Sequence, residues 1–273
     1  MQEQFWRDGY TVVKGLFTRE EVQRWRQRAL ERNSKADLLS DPVLSEVVLH
    51  PGLLHVIREI LGGQPLYFCN SYSVVGIDRI GGFHKDNSDR YVAAAPDWQT
   101  DRYPVIQFCL YCQPHGELPE GLDILEGSHF FPNYRVGTHV SPAVEIGDVV
   151  VFNSRTSHSA NSFILRGLNY RVRPNGLLWR LLVRLPRPVA EAIRQKHPQQ
   201  RVMIGGVYGL DHPLTHRQIE YLNQRIFGAD CVRASSWSSE IRKLATERGL
   251  KLVPPEDRRI RDVTHEQHFE MPY

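Results

Sequence analysis

The feature that most constrains the fold is the change of hydrophobic period near Pro65. The runs after this point are rich in β-branched and aromatic residues and are separated by Gly, Pro, Asn and Asp, which is typical of short strands joined by turns. They read LYFCNSYSVV, YPVIQFCLYC, GLDILEG, AVEIGDVVVFN and RVMIGGVYG. We therefore predict a mainly β protein whose antiparallel core is a sandwich or barrel with helices packed on one side.

Helical patterns stand on both sides of these runs. Thr18 followed by Glu21 forms a capping box and predicts a helix from about 19 to 32. The buried face of this helix would carry Val22, Trp25 and Ala29. A second helix is predicted over 52–61, ended by Gly62. Near the C-terminus, HRQIEYLNQRIF and SSEIRKLATERG also have helical patterns.

The chain has 273 residues, of which 41% are hydrophobic, enough to bury one substantial core. We expect a single domain over 1–273, with N-terminal helices in 1–63, a β core in about 64–214 and a helical tail in 215–273. Mixed arginine and apolar residues interrupt the β pattern at about 165–200, so we interpret this segment as an insertion.

Charge and hydropathy exclude several classes of protein. Lys and Arg number 34 against 31 Asp and Glu, which gives no global signal for nucleic-acid binding. No run of about 18 apolar residues and no secretory signal pattern occurs, so we expect a cytoplasmic protein without a transmembrane segment. Of the four cysteines, Cys109 and Cys112 form a C-x-x-C, but within a predicted strand they point to opposite faces, so we expect reduced thiols.

The segments GGFHKD and SRTSH contain the candidate ligands of a metal site. His84 and Asp86 are two residues apart, so on an extended strand they lie on the same side and can bind one ion. His158 follows a strongly apolar strand and can supply the third ligand. Two imidazoles and one carboxylate on one face of an ion leave coordination positions open, the arrangement used by non-haem iron(II) oxygenases.

Four motifs in order carry a resemblance to a known family. FWRDGYTVVKGLFTREEVQRWRQ, GGFHKD, LDILEGSH and EIGDVVVFNSRTSH together resemble the phytanoyl-CoA dioxygenase family of iron(II)- and 2-oxoglutarate-dependent oxygenases, over about 5–161. The resemblance implies a double-stranded β-helix (jelly-roll, cupin-like) core. It also implies that His84, Asp86 and His158 hold iron(II), with 2-oxoglutarate and dioxygen as cosubstrates.

The family anchors 2-oxoglutarate with an arginine about ten residues after the distal histidine, where a guanidinium pairs with a carboxylate through two hydrogen bonds. Asn169 stands nearest to that position here. Because RVMIGGVYG resembles the family's last core strand, the resemblance favours Arg201 as the anchor, with Arg171 as the second candidate. Asn70 or Ser71 would hydrogen-bond the cosubstrate's other carboxylate.

Three further residues have less specific expectations. The resemblance assigns His129, in the GSH turn, a structural or substrate-facing position, because two histidines already serve the metal. Tyr67 and Gln107 are candidates both for the lining of the site and for the core.

The resemblance implies hydroxylation of an unactivated C–H bond of a small molecule, with release of succinate and CO2. The carboxylate of Asp86 argues against halogenation, since related halogenating enzymes lack it, while desaturation, epoxidation and ring formation remain open. Two alternatives remain: a cupin-type metalloenzyme that does not use 2-oxoglutarate, and a non-catalytic binding protein on the same barrel. The arginines of the insertion suggest an anionic or lipid-like substrate or a membrane surface, although an amphipathic lid is the simpler interpretation.

Overall fold

The structure is a computed structural model that describes residues 1–76, 81–113, 121–159, 163–168, 170–195 and 200–260. Asn169 and the last part of the predicted C-terminal tail lie outside the described residues.

The helices in these ranges flank the strands, as the sequence predicts. In chain order they are α1 (Gln2–Asp8), α2 (Arg19–Glu31), α3 (Ser45–Val48), α4 (Pro51–Leu61), α5 (Leu177–Leu182), α6 (Arg187–Ile193), α7 (Pro213–Asn223), α8 (Ile226–Ala234) and α9 (Ser239–Glu247).

The strands occupy the predicted runs and several places besides. They are β1 (Tyr10–Val13), β2 (Leu66–Val75), β3 (Val105–Tyr111), β4 (Asp123–Glu126), β5 (Thr138–Val140), β6 (Val149–Asn153), β7 (His158–Ser159), β8 (Phe163–Leu165), β9 (Tyr170–Val172), β10 (Val202–Gly209) and β11 (Lys251–Leu252).

The capping box forms at the start of α2. The side chain of Thr18 accepts a hydrogen bond from the backbone N–H of Glu21, and the Glu21 carboxylate accepts one from the backbone N–H of Thr18. Val22, Trp25 and Ala29 are buried, as predicted. Helix α4 ends at Gly62, whose φ of 70° is the left-handed conformation that glycine adopts without strain.

The strands form two facing sheets. The larger has the order β1-β6-β3-β10-β2-β11 and is antiparallel except for the last pair, and the smaller has the order β5-β4-β7. Strand β1 lies at the edge of the larger sheet, where it pairs with β6, and the sequence patterns did not predict this strand.

The larger sheet is buried on both faces. One face packs against the N-terminal helices, with Phe108 and Val151 against Trp25 and Ile57 in one continuous apolar cluster. The opposite face packs against the smaller sheet through a second cluster, whose members are Cys109, Tyr111, Leu122, Ile124, Val144, Val150, Phe152 and Met203. Burial on two faces explains why β3, β6 and β10 are mostly apolar rather than alternating between apolar and polar residues.

Cys109 and Cys112 belong to different clusters on opposite faces of the sheet, as expected for a strand. All four cysteines are buried and free. The C-x-x-C is therefore part of the packing of the β core.

The region around 165–200 forms a hairpin of β8 and β9 followed by α5 and α6. Pro186 stands at the break between the two helices, as its missing N–H predicts.

The helix predicted over 216–227 is instead two helices, because α8 turns back against the end of α7. A Cβ on Gly228 would lie 2.2 Å from the carbonyl oxygen of Leu222, so this close crossing requires glycine.

Candidate metal centre

The three predicted ligands meet at one point between the sheets. One ligand atom each of His84, Asp86 and His158 lies within 4.8 Å of the others. Asp86 Oδ2 is 3.2 Å from His158 Nε2, and Asp86 Oδ1 is 3.8 Å from His84 Nε2. Ligand atoms about 2.1 Å from one ion and at right angles to each other would be about 3 Å apart, so a divalent ion fits with small adjustments.

Main-chain hydrogen bonds place the two histidines side by side. The N–H of His84 donates to the carbonyl of His158 at 3.0 Å, and the N–H of His158 donates back at 2.9 Å. The Asp86 N–H donates to the Ser154 carbonyl at 3.0 Å. The segment that follows Gly82 is thereby attached to the chain around β7, and the three side chains face the same space.

The ring nitrogens of both histidines are oriented for metal binding. Nδ1 of His84 lies 3.1 Å from the Gly82 carbonyl and Nδ1 of His158 lies 3.0 Å from the Thr156 carbonyl. A carbonyl can only accept, so each Nδ1 carries the proton and each Nε2 presents its lone pair. Backbone partners of this kind orient the histidine ligands of metal sites.

The protonation of the site also suits a cation. Burial, together with the neighbouring His158, lowers the pKa of His84 to about 4, so its imidazole is neutral at neutral pH. Burial by itself would raise the pKa of Asp86, but His158, His84 and Arg90 hold it well below its usual range. Neutral imidazoles and an ionised carboxylate are the forms that bind metal ions.

Lys85, the middle residue of the H-x-D motif, anchors this segment from the opposite side. Its side chain is fully buried, and its ammonium group donates to the carbonyls of Ser128 at 2.8 Å and Arg155 at 2.6 Å. Alternation along an extended segment explains the geometry, because Lys85 points away from the face that His84 and Asp86 share.

Helix α5 and the residues just before it hold the other end of the segment. Asn175 Oδ1 accepts a hydrogen bond from the Phe83 N–H at 2.8 Å, and Trp179 Nε1 donates to the Gly81 carbonyl at 2.9 Å. Between these contacts a Cβ on Gly82 would lie 2.7 Å from Asn175 Oδ1 and 3.1 Å from the Trp179 ring. Gly82 therefore allows α5 and the residues just before it to approach closely.

Two glutamines support Asp86 through hydrogen bonds. Gln107 Nε2 donates to Asp86 Oδ2 at 3.0 Å, and Gln218 Nε2 donates to the Asp86 main-chain carbonyl at 2.7 Å. Gln107 was a candidate for the site or the core, and the structure places it beside Asp86. Gln218 comes from α7, and nothing in its local sequence indicates this contact.

The GSH turn has a structural position. His129 is fully buried and its Nε2 lies 2.9 Å from the Trp6 carbonyl, away from the three ligands. Burial lowers the pKa of His129 to about 4. The hydroxyl of Ser128 accepts a hydrogen bond from the Ser157 N–H at 2.8 Å, so this turn fixes the backbone just before His158.

A cavity of about 250 Å³ opens beside the ligands. Its lining combines polar and apolar side chains: Asn70, Tyr72, His84, Asp86, Gln107, Val207, Gln218, Leu222, Arg225, Phe227 and Gly228. Asn70 therefore lies in the wall of this cavity, and its contact with the cosubstrate stays a prediction. Helices α7 and α8 form the wall opposite β2.

Tyr67 and Ser71 lie on the other side of β2. Both hydroxyl groups contact the buried carboxylate of Asp37, which also accepts from the N–H groups of Ser71 and Leu39. Asp37 lies near Cys69 and Cys231, but its hydrogen bonds identify this cluster as a polar network of the core. Burial raises the pKa of Asp37.

The two candidate arginines lie near each other but have different partners. Arg171 Nη2 is 2.9 Å from Asp123 Oδ1, an oxygen that also contacts His139 and Ser141. Arg201 is 6% exposed and lies over the ring of the neutral Tyr111, at 5.2 Å from its centroid. Tyr111 belongs to the apolar cluster between the two sheets, so the guanidinium lies on the interior face of β3.

No protein-family model and no curated protein sequence matches the chain. Solved structures are similar in fold. HygX from Streptomyces hygroscopicus in its apo form aligns at 18% identity with a TM-score of 0.53, over 77% of this chain and 86% of HygX. HygX with nickel and 2-oxoglutarate bound aligns at 20% identity with a TM-score of 0.52, over 77% of this chain and 86% of HygX.

Two other similar structures have different activities. SnoN, a non-heme alpha ketoglutarate dependent epimerase from nogalamycin biosynthesis, aligns at 15% identity with a TM-score of 0.51, over 76% of this chain and 80% of SnoN. The nickel complex of the non-heme monooxygenase ThoJ aligns at 12% identity with a TM-score of 0.51, over 76% of each chain. With the two facing sheets, these similarities define the fold as a double-stranded β-helix of the cupin type with flanking helices.

None of the helices in the described ranges is both long and apolar enough to cross a membrane.

Proposed function

We propose that this chain is an iron(II)- and 2-oxoglutarate-dependent oxygenase that hydroxylates an unactivated C–H bond of a small-molecule substrate. The observation that carries the proposal is the convergence of His84, Asp86 and His158 on one side of a cavity within a double-stranded β-helix. The order of the sequence motifs supports a position near the phytanoyl-CoA dioxygenase family. The nickel and 2-oxoglutarate bound to the similarly folded HygX fit the same chemistry.

The residues present fit the proposed metal. Iron(II) with two imidazoles and one carboxylate keeps positions open for further ligands, and Nε2 of each histidine and the Asp86 carboxylate face one space. When bound, iron and 2-oxoglutarate would supply the oxidising chemistry, in which dioxygen gives one oxygen atom to succinate and one to the substrate while CO2 is released.

The chain's own groups would prepare the site for this reaction. Gln107 holds the Asp86 carboxylate through a hydrogen bond, and the carbonyl partners of Nδ1 keep both imidazoles in the metal-binding tautomer. Asp86 supplies the carboxylate that a halogenating site would lack, which argues against halogenation.

We assign the anchoring of the 2-oxoglutarate carboxylate to Arg201. Arg201 directly precedes β10, the strand that resembles the family's last core strand, and its guanidinium lies over the Tyr111 ring on the interior face of the sheet. A guanidinium can pair with a carboxylate through two parallel hydrogen bonds, which an ammonium group cannot reproduce. Asn70, which lines the cavity, would contact the cosubstrate's other carboxylate.

Succinate formation tests this function. The iron-loaded protein, supplied with 2-oxoglutarate and oxygen, is expected to release succinate slowly even without substrate, and Asp86→Ala is expected to abolish the release. Succinate formation that is equal in the wild type and in Asp86→Ala would contradict the proposal.

Matched lysine variants test the choice of arginine, since both keep the positive charge. Arg201→Lys should weaken 2-oxoglutarate binding about ten-fold, for the loss of one charged hydrogen bond, while Arg171→Lys should leave it within about two-fold. Weaker binding in Arg171→Lys alone would move the anchor to Arg171. Iron binding without 2-oxoglutarate binding in the wild type would favour the cupin-type alternative.

A further inference from the structure

The hairpin and helices between β7 and β10 expose more apolar surface than a water-facing element normally does. The apolar side chains concerned, which are 42% to 78% exposed, are Leu168, Tyr170, Leu177, Leu181, Val183 and Val189. Four exposed arginines lie among them: Arg166, Arg173, Arg180 and Arg184. We call these ten residues the leucine–arginine surface.

Helix α5 shows why this surface is unusual. Its inward side is already occupied by Trp179 and Leu182, which pack with Phe163 and Val172. Leu177 is nevertheless 78% exposed, on a side of the helix where a soluble protein places polar residues. Leu177 and Leu181 are four positions apart on α5, so these two exposed side chains are neighbours. An exposed apolar patch of this kind marks a surface that binds another phase or partner.

The charge of the segment indicates the chemistry of that partner. Glu191 is the only acidic residue between Phe163 and Gln195, whereas arginines recur throughout. A contact between two copies of this surface would bring guanidinium groups together without acids to balance them. An anionic partner fits, and arginine can keep its charged end among polar headgroups while its stem lies along apolar surface.

We propose that the leucine–arginine surface docks the protein onto an anionic lipid bilayer. The exposed leucines and valines would enter the boundary between headgroups and acyl chains, and the four arginines would contact lipid phosphates. Tyr170, on β9, has the amphipathic ring that favours this boundary. This docking is independent of the proposed catalytic function.

The surface is rigidly connected to the candidate metal centre. Trp179 and Asn175 hydrogen-bond the backbone at Gly81 and Phe83, directly before His84. Docking would therefore hold the metal centre in a fixed orientation relative to the bilayer.

Vesicle sedimentation tests the proposal with the full chain. Wild-type protein should sediment with vesicles made of equal parts phosphatidylcholine and phosphatidylserine, and much less with phosphatidylcholine alone. Each arginine near an anionic surface contributes about five-fold in partitioning, so R180Q/R184Q should bind roughly 25-fold more weakly. L177S/L181S should also lose binding, whereas V92S/K243Q, which removes an exposed apolar group and a charge elsewhere, should not.

Thermal unfolding of each variant should match the wild type, because all these positions are exposed. If the wild type binds neither kind of vesicle, the proposal is overturned. Wild-type binding by both R180Q/R184Q and L177S/L181S would also overturn it. A wild-type dimer in sedimentation velocity that L177S/L181S converts to a monomer would identify the surface as a self-contact and would also overturn it.

Discussion

Replacing Gln107 with methionine should weaken metal binding without removing a ligand. The side chain keeps its length, but Asp86 Oδ2 loses a hydrogen bond of 3.0 Å from Nε2. A hydrogen bond to a charged group is worth about 1.5 to 3 kcal/mol, and 1.4 kcal/mol is a factor of ten, so the expected loss of affinity is about 10- to 140-fold. This range agrees with the usual effect of removing the partner of a metal ligand.

The assay is an anaerobic titration of the metal-free protein with cobalt(II), followed by the visible bands of the bound ion. Gln218→Met is the matched control, because Gln218 donates to the main-chain carbonyl of Asp86 and not to the carboxylate. A neutral hydrogen bond is worth about 1 kcal/mol, so this control should lose roughly five-fold. Wild-type affinity in Gln107→Met, or a larger loss in Gln218→Met, would refute the role given to Gln107.

Three other predictions concern stability. Lys85→Met should lower the free energy of unfolding by about 2 to 4 kcal/mol in urea titrations, because the carbonyls of Ser128 and Arg155 lose their buried donor; an unchanged midpoint would contradict this anchor. Thr18→Ala should cost about 1 kcal/mol through loss of the helix cap, which a change in thermal midpoint can detect. The pKa of buried His129, about 4, is below its unfolded value, so His129 stabilises the fold fully above about pH 6.5. Up to about 3 kcal/mol of this stability should be lost as the pH falls from 6.5 to 4. In urea titrations of the metal-free protein, His129→Asn should make the free energy of unfolding less dependent on pH over this range. A pH dependence as steep in His129→Asn as in the wild type would contradict the role given to His129.

Local patterns predicted the helices and strands well where the signal itself is local. The capping box at Thr18 and the burial of Trp25 follow from a few neighbouring residues, and so do the bounds of β2. Strand β1 and the break at Gly228 depend on contacts with distant parts of the chain, so periodicity could not reveal them.

The residues of the candidate site also differ in whether local sequence could predict them. The alternation of an extended segment predicts that His84 and Asp86 share a face, and the structure adds His158 through a pair of main-chain hydrogen bonds. Gln218 reaches Asp86 from a helix 132 positions later in the chain, so no spacing rule identifies it. Lysine is usually a surface residue, so the sequence does not predict that Lys85 is buried, and the carbonyls that accept its hydrogen bonds explain its position.

The central claim is that His84, Asp86 and His158 hold an iron(II) ion that binds 2-oxoglutarate. Anaerobic titration of the iron-loaded protein with 2-oxoglutarate tests it directly, through the visible charge-transfer band of the chelate. The account predicts a band that saturates at one 2-oxoglutarate per chain and is absent from folded Asp86→Ala. A folded, iron-loaded wild type that develops no band would contradict it.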